Sequence, residues 1–292
     1  MRILLATDRS TSSEAAIDFL EHLNFTDPID FEAMSCVPVA ASVGFSGLPP
    51  VVQSVMHEEE QAFQEHLDAI CKRFGERAAS VTSRLVIGPP AYEITQEAEK
   101  EKADLVVLGA VGKSMMERVV LGSVSDFVAT HAPCSVLIVR PPKPDIPAMS
   151  PPRIMVALDG SEDDQKLLAF LRNFQWSEEA ELHLVHVMED FTLYRQDLIE
   201  HMDEHWQAER KASHDHLKKL TDQIHDVVPN AHHTVVIDSH IGEALVRYAD
   251  RHHCDLVVMG DHKRGFFNRL LLGSVSRYLT RYAHCSVAIT RT

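Results

Sequence analysis

The chain is short of cations. Its 28 lysines and arginines stand against 43 aspartates and glutamates, a formal charge of −15 over 292 residues. Gripping a nucleic-acid backbone takes a basic face, so no nucleic-acid partner is expected. Long apolar runs are missing too, and nothing approaches the roughly 20 residues of a membrane-spanning helix. The opening "MRILLATDRS" has one basic residue and an apolar stretch well below the ~7–15 residues of a secretory signal. The five cysteines (Cys36, Cys71, Cys134, Cys254 and Cys285) are odd in number and scattered, with no C-x-x-C pair. That pattern excludes a disulfide framework or a zinc ribbon and reads as reduced thiols in a cytoplasmic protein. Familiar catalytic signatures are absent as well: no G-x-S-x-G elbow, no H-E-x-x-H, no H-R-D loop.

What the chain does have is written twice. A constant shift of 151 residues lays "RILLATDRS" (2–10) over "RIMVALDGS" (153–161), with Asp8 on Asp159. The same shift puts "ADLVVLGAVG" on "CDLVVMGDHK", "LGSVS" (121–125) on "LGSVS" (272–276), and "CSVLIVR" on "CSVAITR". A duplicated domain accounts for this. Between the copies "PPKPDIPAMSPP" (141–152) holds six of the 14 prolines, the composition of a stiff linker. The expected organisation is therefore a first domain over 1–140, a linker over 141–152 and a second domain over 153–292.

Each copy alternates short apolar runs with longer segments of helical period. In the first, strands are expected at "RILLAT", "FEAMSCV", "SRLVI", "DLVVLG" and "SVLIVR". Helices are expected from Ser12 or Ser13, over about Val51 to Arg77, at "YEITQEAEKE" and at "SVSDFVATHA". Doubly buried strands separated by helices predict an α/β chain: two tandem, doubly wound, open parallel five-stranded sheets with helices on both faces. Ligands of such sheets bind beyond the carboxyl ends of the strands, where strand order reverses. Asp8, Asp159 and the glycine-bearing loops all fall at such ends.

The stretch "GAVGKSMMERVVLGSVS" contains Gly112-Lys113-Ser114, the tail of a P-loop, but the motif's first glycine would fall at Val107, so the match fails. The spacing is Gly109-x2-Gly112-x9-Gly122-Ser123 instead. Glycines admit positive φ and close backbone approach, and turn amides with a helix start make an anion nest. Ser123 and Ser125 would add hydroxyl donors, and Lys113 or Arg118 a positive charge.

With that spacing, Asp8, and the runs "ILLATDRS", "DLVVLGAVGKS" and "LGSVSDFVATHAPCSVLIVR", the sequence resembles the universal stress protein family. The resemblance covers the chain twice, and the first copy carries the G-x2-G-x9-G-[ST] signature of the ATP-binding subgroup. It implies ATP as the bound cofactor, with Mg²⁺ as its companion ion. It implies Asp8 at the adenine–ribose end, and Cys36 or Val37 against adenine. Gly109, Gly112, Gly122 and Ser123 would hold ribose and phosphates, with Val124 and Ser125 beside them. In the second copy Asp159 and Val187 match the adenine side, and Gly260, Gly273 and Ser274 match the phosphate side. Lys263, however, stands where Gly112 stands. The resemblance favours a nucleotide-binding stress regulator that uses mainly its first domain. A slow ATP hydrolase and a scaffold with vestigial sites remain as alternatives. The PP-loop enzyme reading lacks its S-G-G-x-D-S-like loop, because "TDRSTSSEA" does not supply one.

Fourteen of the 18 histidines lie in the second copy. His201 and His205, four apart on an expected helix, share a face and could chelate Zn²⁺. A polar solvated face is the favoured reading of that pair. The last strands of each copy, "SVLIVR" and "SVAITR", are apolar and would be exposed edges on their own. The family resemblance implies that such strands cross-pair, which gives an intramolecular pseudo-dimer, with a homodimer as the further possibility. Sedimentation equilibrium at micromolar protein is expected to return the mass of one chain. A mass of two chains would favour the homodimer.

Overall fold

The structure, a computed structural model, describes residues 1–37, 50–112, 121–141, 151–190, 196–261 and 272–291, with only the backbone of 50–52 and 196–205 described. The chain divides into two compact units, and each is taken by itself. The Pro-rich segment 142–150 lies outside the described residues.

The first unit runs β1 (Arg2–Ala6), α1 (Thr11–His22), β2 (Ile29–Val37), α2 (Pro50–Phe74), β3 (Ala78–Ile87), α3 (Pro90–Lys100), β4 (Leu105–Gly109), α4 (Ser123–His131) and β5 (Ser135–Val139). Its strands lie in the order β5-β4-β1-β2-β3, every neighbouring pair parallel. β1, β4 and β5 are aliphatic because they are buried on both faces: Ile3, Leu5, Val106, Val107, Val136 and Ile138 are fully buried. Burying each such side chain stabilises by roughly 1.5–3 kcal/mol. β3 is the exception. Only its "SRLVI" end was expected as strand, yet it extends back to Ala78, paired with β2 from Ile29 onward. The added residues, Ala78, Ala79, Ser80, Val81 and Thr82, are small or β-branched and partly exposed, so they lack the aliphatic run by which a buried strand is read.

Helix boundaries follow local chemistry. Ser10 caps α1, its hydroxyl accepting the Ser13 amide at 3.2 Å, so the helix starts one or two residues earlier than expected. α3 opens on Pro90, where the missing N–H costs nothing. α2 ends at Phe74 rather than Arg77, with Gly75 immediately after it.

The second unit repeats the plan: β6 (Arg153–Leu158), α5 (Asp164–Leu171), β7 (Glu181–Glu189), α6 (Gln196–Ile224), β8 (Asn230–Asp238), α7 (Ile241–Arg251), β9 (Leu256–Gly260), α8 (Ser274–Tyr282) and β10 (Ser286–Thr290). The strand order β8-β7-β6-β9-β10 is again parallel throughout. The turn after the first strand of each unit is also duplicated. Asp8 Oδ1 accepts the Ser10 amide at 3.0 Å, and Asp159 Oδ1 accepts the Ser161 amide at 2.9 Å. The residue between them is left-handed in both, Arg9 at φ 63° and Gly160 at φ 83°.

The units differ in how closely the first helix approaches the fourth strand. A carbon added at Gly109 would lie 2.5 Å from the Ser12 carbonyl carbon, so α1 rests against bare backbone there. The nearest atom to a carbon added at Gly260 is Leu167 Cδ2, 4.0 Å away. Gly109→Ala is therefore expected to cost about 2 kcal/mol of overpacking and to lower Tm by about 5 °C. Gly260→Ala should stay within about 0.5 kcal/mol of wild type. Thermal melts of the two variants check this.

Candidate functional site

In the first unit the chain lays down β1, β2 and β3 toward one edge, then returns to place β4 and β5 on the other side of β1. Strand order thus reverses between β1 and β4, where a parallel sheet opens a crevice beyond its carboxyl ends. A cavity of about 560 Å³ lies there, within the range that takes a small organic ligand. Asp8, Cys36, Val37, Gly109, Gly112, Gly122, Ser123, Val124 and Ser125 all line it. Lys113 lies outside the described residues.

Asp8 is aimed by the turn that follows β1, where Ser10 ties one carboxylate oxygen. Its other oxygen faces Gly112 so closely that an added carbon would sit 2.7 Å from it. Glycine at 112 is thus what gives this carboxylate its place. Of the two freedoms glycine offers, the signature positions use one. Among the described residues the glycine with positive φ is Gly160, and Gly122 caps α4 in an extended conformation at φ −65°. Close approach, not left-handed backbone, is what these positions need.

Ser125 lines the cavity and its hydroxyl donates to the Gly109 carbonyl at 2.8 Å. The second unit repeats this bond between Ser276 and Gly260 at 3.1 Å. Ser123, the first residue of α4, is exposed and adjoins the helix's first amides.

One wall consists of residues that the sequence reading missed. Val55, Met56, Glu59, Glu60 and Phe63 share one face of α2, and Pro90 with Ile94 comes from the start of α3. Their spacing along α2 is helical, a signal visible in sequence but not attributable to a ligand without the fold. Below them Thr7 and Ser13 form a buried relay. The Thr7 hydroxyl donates to Ser13 Oγ at 3.1 Å, and the Ser13 hydroxyl donates to the Ser10 carbonyl at 2.9 Å. His66 Nε2 approaches Thr7 Oγ1 at 3.1 Å and Glu14 at 3.5 Å. Met34, Val37, Phe63 and Ile94 make one side of the cavity apolar; Asp8, Ser10 and the α4 start make another polar. Burial, with some help from the nearby Glu93 carboxylate, pushes the Cys36 thiol up to about 12.

In the second unit Asp159 is exposed just after β6, Val187 is buried in β7, and Gly260 ends β9. Gly273 caps α8 and Ser274 is its first residue. Lys263 and the side chains of His201 and His205 lie outside the described residues; α6 carries both histidine positions on one helix. Among the described residues, no group of three or more His, Cys, Asp or Glu is placed to hold a metal ion. Among the same residues no helix is long and apolar enough to cross a membrane.

A family model described as the Universal stress protein family matches residues 1–140 and 152–291. A universal stress protein of Methanocaldococcus jannaschii is 34% identical over 148 residues, 49% of this chain and 83% of that protein. One of Mycobacterium bovis is 29% identical over 219 residues, 74% of this chain and 70% of its own. Among solved structures, a universal stress protein from Archaeoglobus fulgidus matches over 99% of this chain and 96% of that one. Its TM-score is 0.62 at 19% identity, a likeness of fold.

The thiolate, not the thiol, is the nucleophile. With Cys36 raised to about 12 and buried Cys134 to about 11, both are expected to alkylate at least about a hundredfold more slowly than a free thiol at pH 8. Time-resolved iodoacetamide labelling with peptide mass spectrometry reads each rate.

Proposed function

The chain belongs to the universal stress protein family, and on that premise we propose that it is a cytoplasmic regulatory protein whose first unit binds an adenine nucleotide, ATP. The observation that carries this reading is the cavity at the strand-order reversal of the first unit, where the residues of the G-x2-G-x9-G-[ST] signature meet Asp8, Cys36 and Val37. The residues present fit the group. The apolar side formed by Met34, Val37, Phe63 and Ile94 suits a base, with the neutral Cys36 thiol beside it. Asp8 is placed to accept from ribose hydroxyls, and the first amides of α4 together with Gly112 suit phosphate oxygens. The ligand supplies a polyphosphate that the protein senses; the chain's own residues bind and orient it.

Asp8, Glu59 and Glu60 make part of the lining acidic, in a chain whose net charge is already −15. A bare polyphosphate is disfavoured there. The nucleotide is proposed to enter as its Mg²⁺ complex, the ion held by one or two carboxylates with phosphate and water completing its shell. No step of hydrolysis is assigned.

Two outcomes test this. Calorimetric titration with ATP is expected to show binding in Mg²⁺ that weakens at least about tenfold in excess EDTA. Gly122→Val places side-chain carbons against the Ala110 carbonyl, which already lies 3.3 Å from an added Cβ. It is expected to abolish binding while the circular dichroism spectrum stays that of wild type. Undiminished binding by Gly122→Val would place the nucleotide elsewhere. Steady ADP release by wild type, lost in Asp8→Ala, would assign a slow hydrolase instead, and absence of any nucleotide binding would leave a scaffold.

A further inference from the structure

The two units differ at one buried position that the signature does not include. Ser13, in the first turn of α1, lines the cavity of the first unit and takes part in a chain of neutral hydroxyls. Its counterpart under the 151-residue repeat is Asp164, the first residue of α5 and only 2% exposed. Thr7 is likewise replaced, by Leu158.

Asp164 is held on every side. Its Oδ1 accepts the Asp159 amide at 3.2 Å, its Oδ2 accepts the Gly160 amide at 3.1 Å, and His216 Nε2 lies 2.9 Å from Oδ2. His216 lies one residue short of the 151-residue shift from His66, whose ring in the first unit meets Thr7 Oγ1 and the Glu14 carboxylate instead. The amides that follow the first strand are therefore satisfied internally in the second unit, by a carboxylate that has no freedom to swing aside.

We infer that Asp164 closes the second unit to nucleotide phosphates, by fixing a carboxylate where the first unit keeps a neutral hydroxyl on the wall of its cavity. The inference rests on the nucleotide reading of the first unit. A like charge set in a desolvated wall repels a polyphosphate with little screening. Burial raises the Asp164 carboxyl above the usual carboxylate range, and the bonds from His216 and the Asp159 amide offset only part of that rise. The chain is then a one-nucleotide protein built on a two-domain frame, and Asp164 is the residue that sets the count.

The test moves the charge into the first unit of the full chain. Ser13→Asn, equal in size to aspartate, sets the loss due to bulk. Ser13→Asp is expected to bind Mg·ATP at least about 30-fold more weakly than Ser13→Asn, with wild type taking one nucleotide per chain. Equal losses in the two variants would mean shape rather than charge, and would overturn the inference. So would two nucleotides per wild-type chain, a reading that needs no variant to fold. Wild type that binds none removes the nucleotide reading itself, an outcome distinct from both.

Discussion

The site depends on how tightly α1 is pressed to the end of β4. Gly109 leaves so little room that a single added carbon would fall 2.5 Å from the Ser12 backbone. That approach brings Ser10 and Ser13 beside β4 and places the turn that carries Asp8 opposite Gly112. It also leaves the Gly109 carbonyl to be met by the Ser125 hydroxyl from α4. In the first unit this approach draws together the first strand's turn, the fourth strand's end and the start of the last helix, three sides of the cavity. In the second unit the constraint is relaxed: a carbon added at Gly260 would lie 4.0 Å from its nearest contact, Leu167 Cδ2, and α5 begins only at Asp164.

Duplication has preserved the frame and released the chemistry. Both units keep the parallel strand order, the Asp-anchored turn with its left-handed residue, and the serine that bonds the carbonyl ending the fourth strand. These are bonds within the backbone frame, and losing one would leave a buried polar group unmet. What changed are the side chains around the crevice: Ser13 against Asp164, Thr7 against Leu158, Cys36 against Val187. Such exchanges leave the sheet intact and alter what the crevice accepts.

Much of this was legible in the sequence, for physical reasons that can be named. Strands buried on both faces must be aliphatic, so β1, β4 and β5 announce themselves, and a turn that needs a short polar side chain announces Asp8. The repeat made each of these visible twice. Three things were not legible. The first half of β3, Ala-Ala-Ser-Val-Thr over 78–82, pairs by backbone hydrogen bonds and leaves no aliphatic run. The ligand-facing side of α2 looks like any solvated helix face, because Glu59 and Glu60 are exchangeable with surface acids until the sheet end lies beneath them. The bond from Ser125 to Gly109 spans 16 residues and depends on the angle at which α4 leaves its cap, which a list of spacings does not contain. That is why the part Ser125 plays in the frame could not be read from the signature.

The central claim, that the first unit's crevice is the nucleotide site, is tested most directly by photo-crosslinking with 8-azido-ATP and mapping the labelled peptides. The account predicts one label per chain, displaced by ATP, on peptides that contain Met34–Val37 or Pro90–Ile94, the apolar side of the cavity. Label on peptides of the second unit, or label that ATP does not displace, would contradict it.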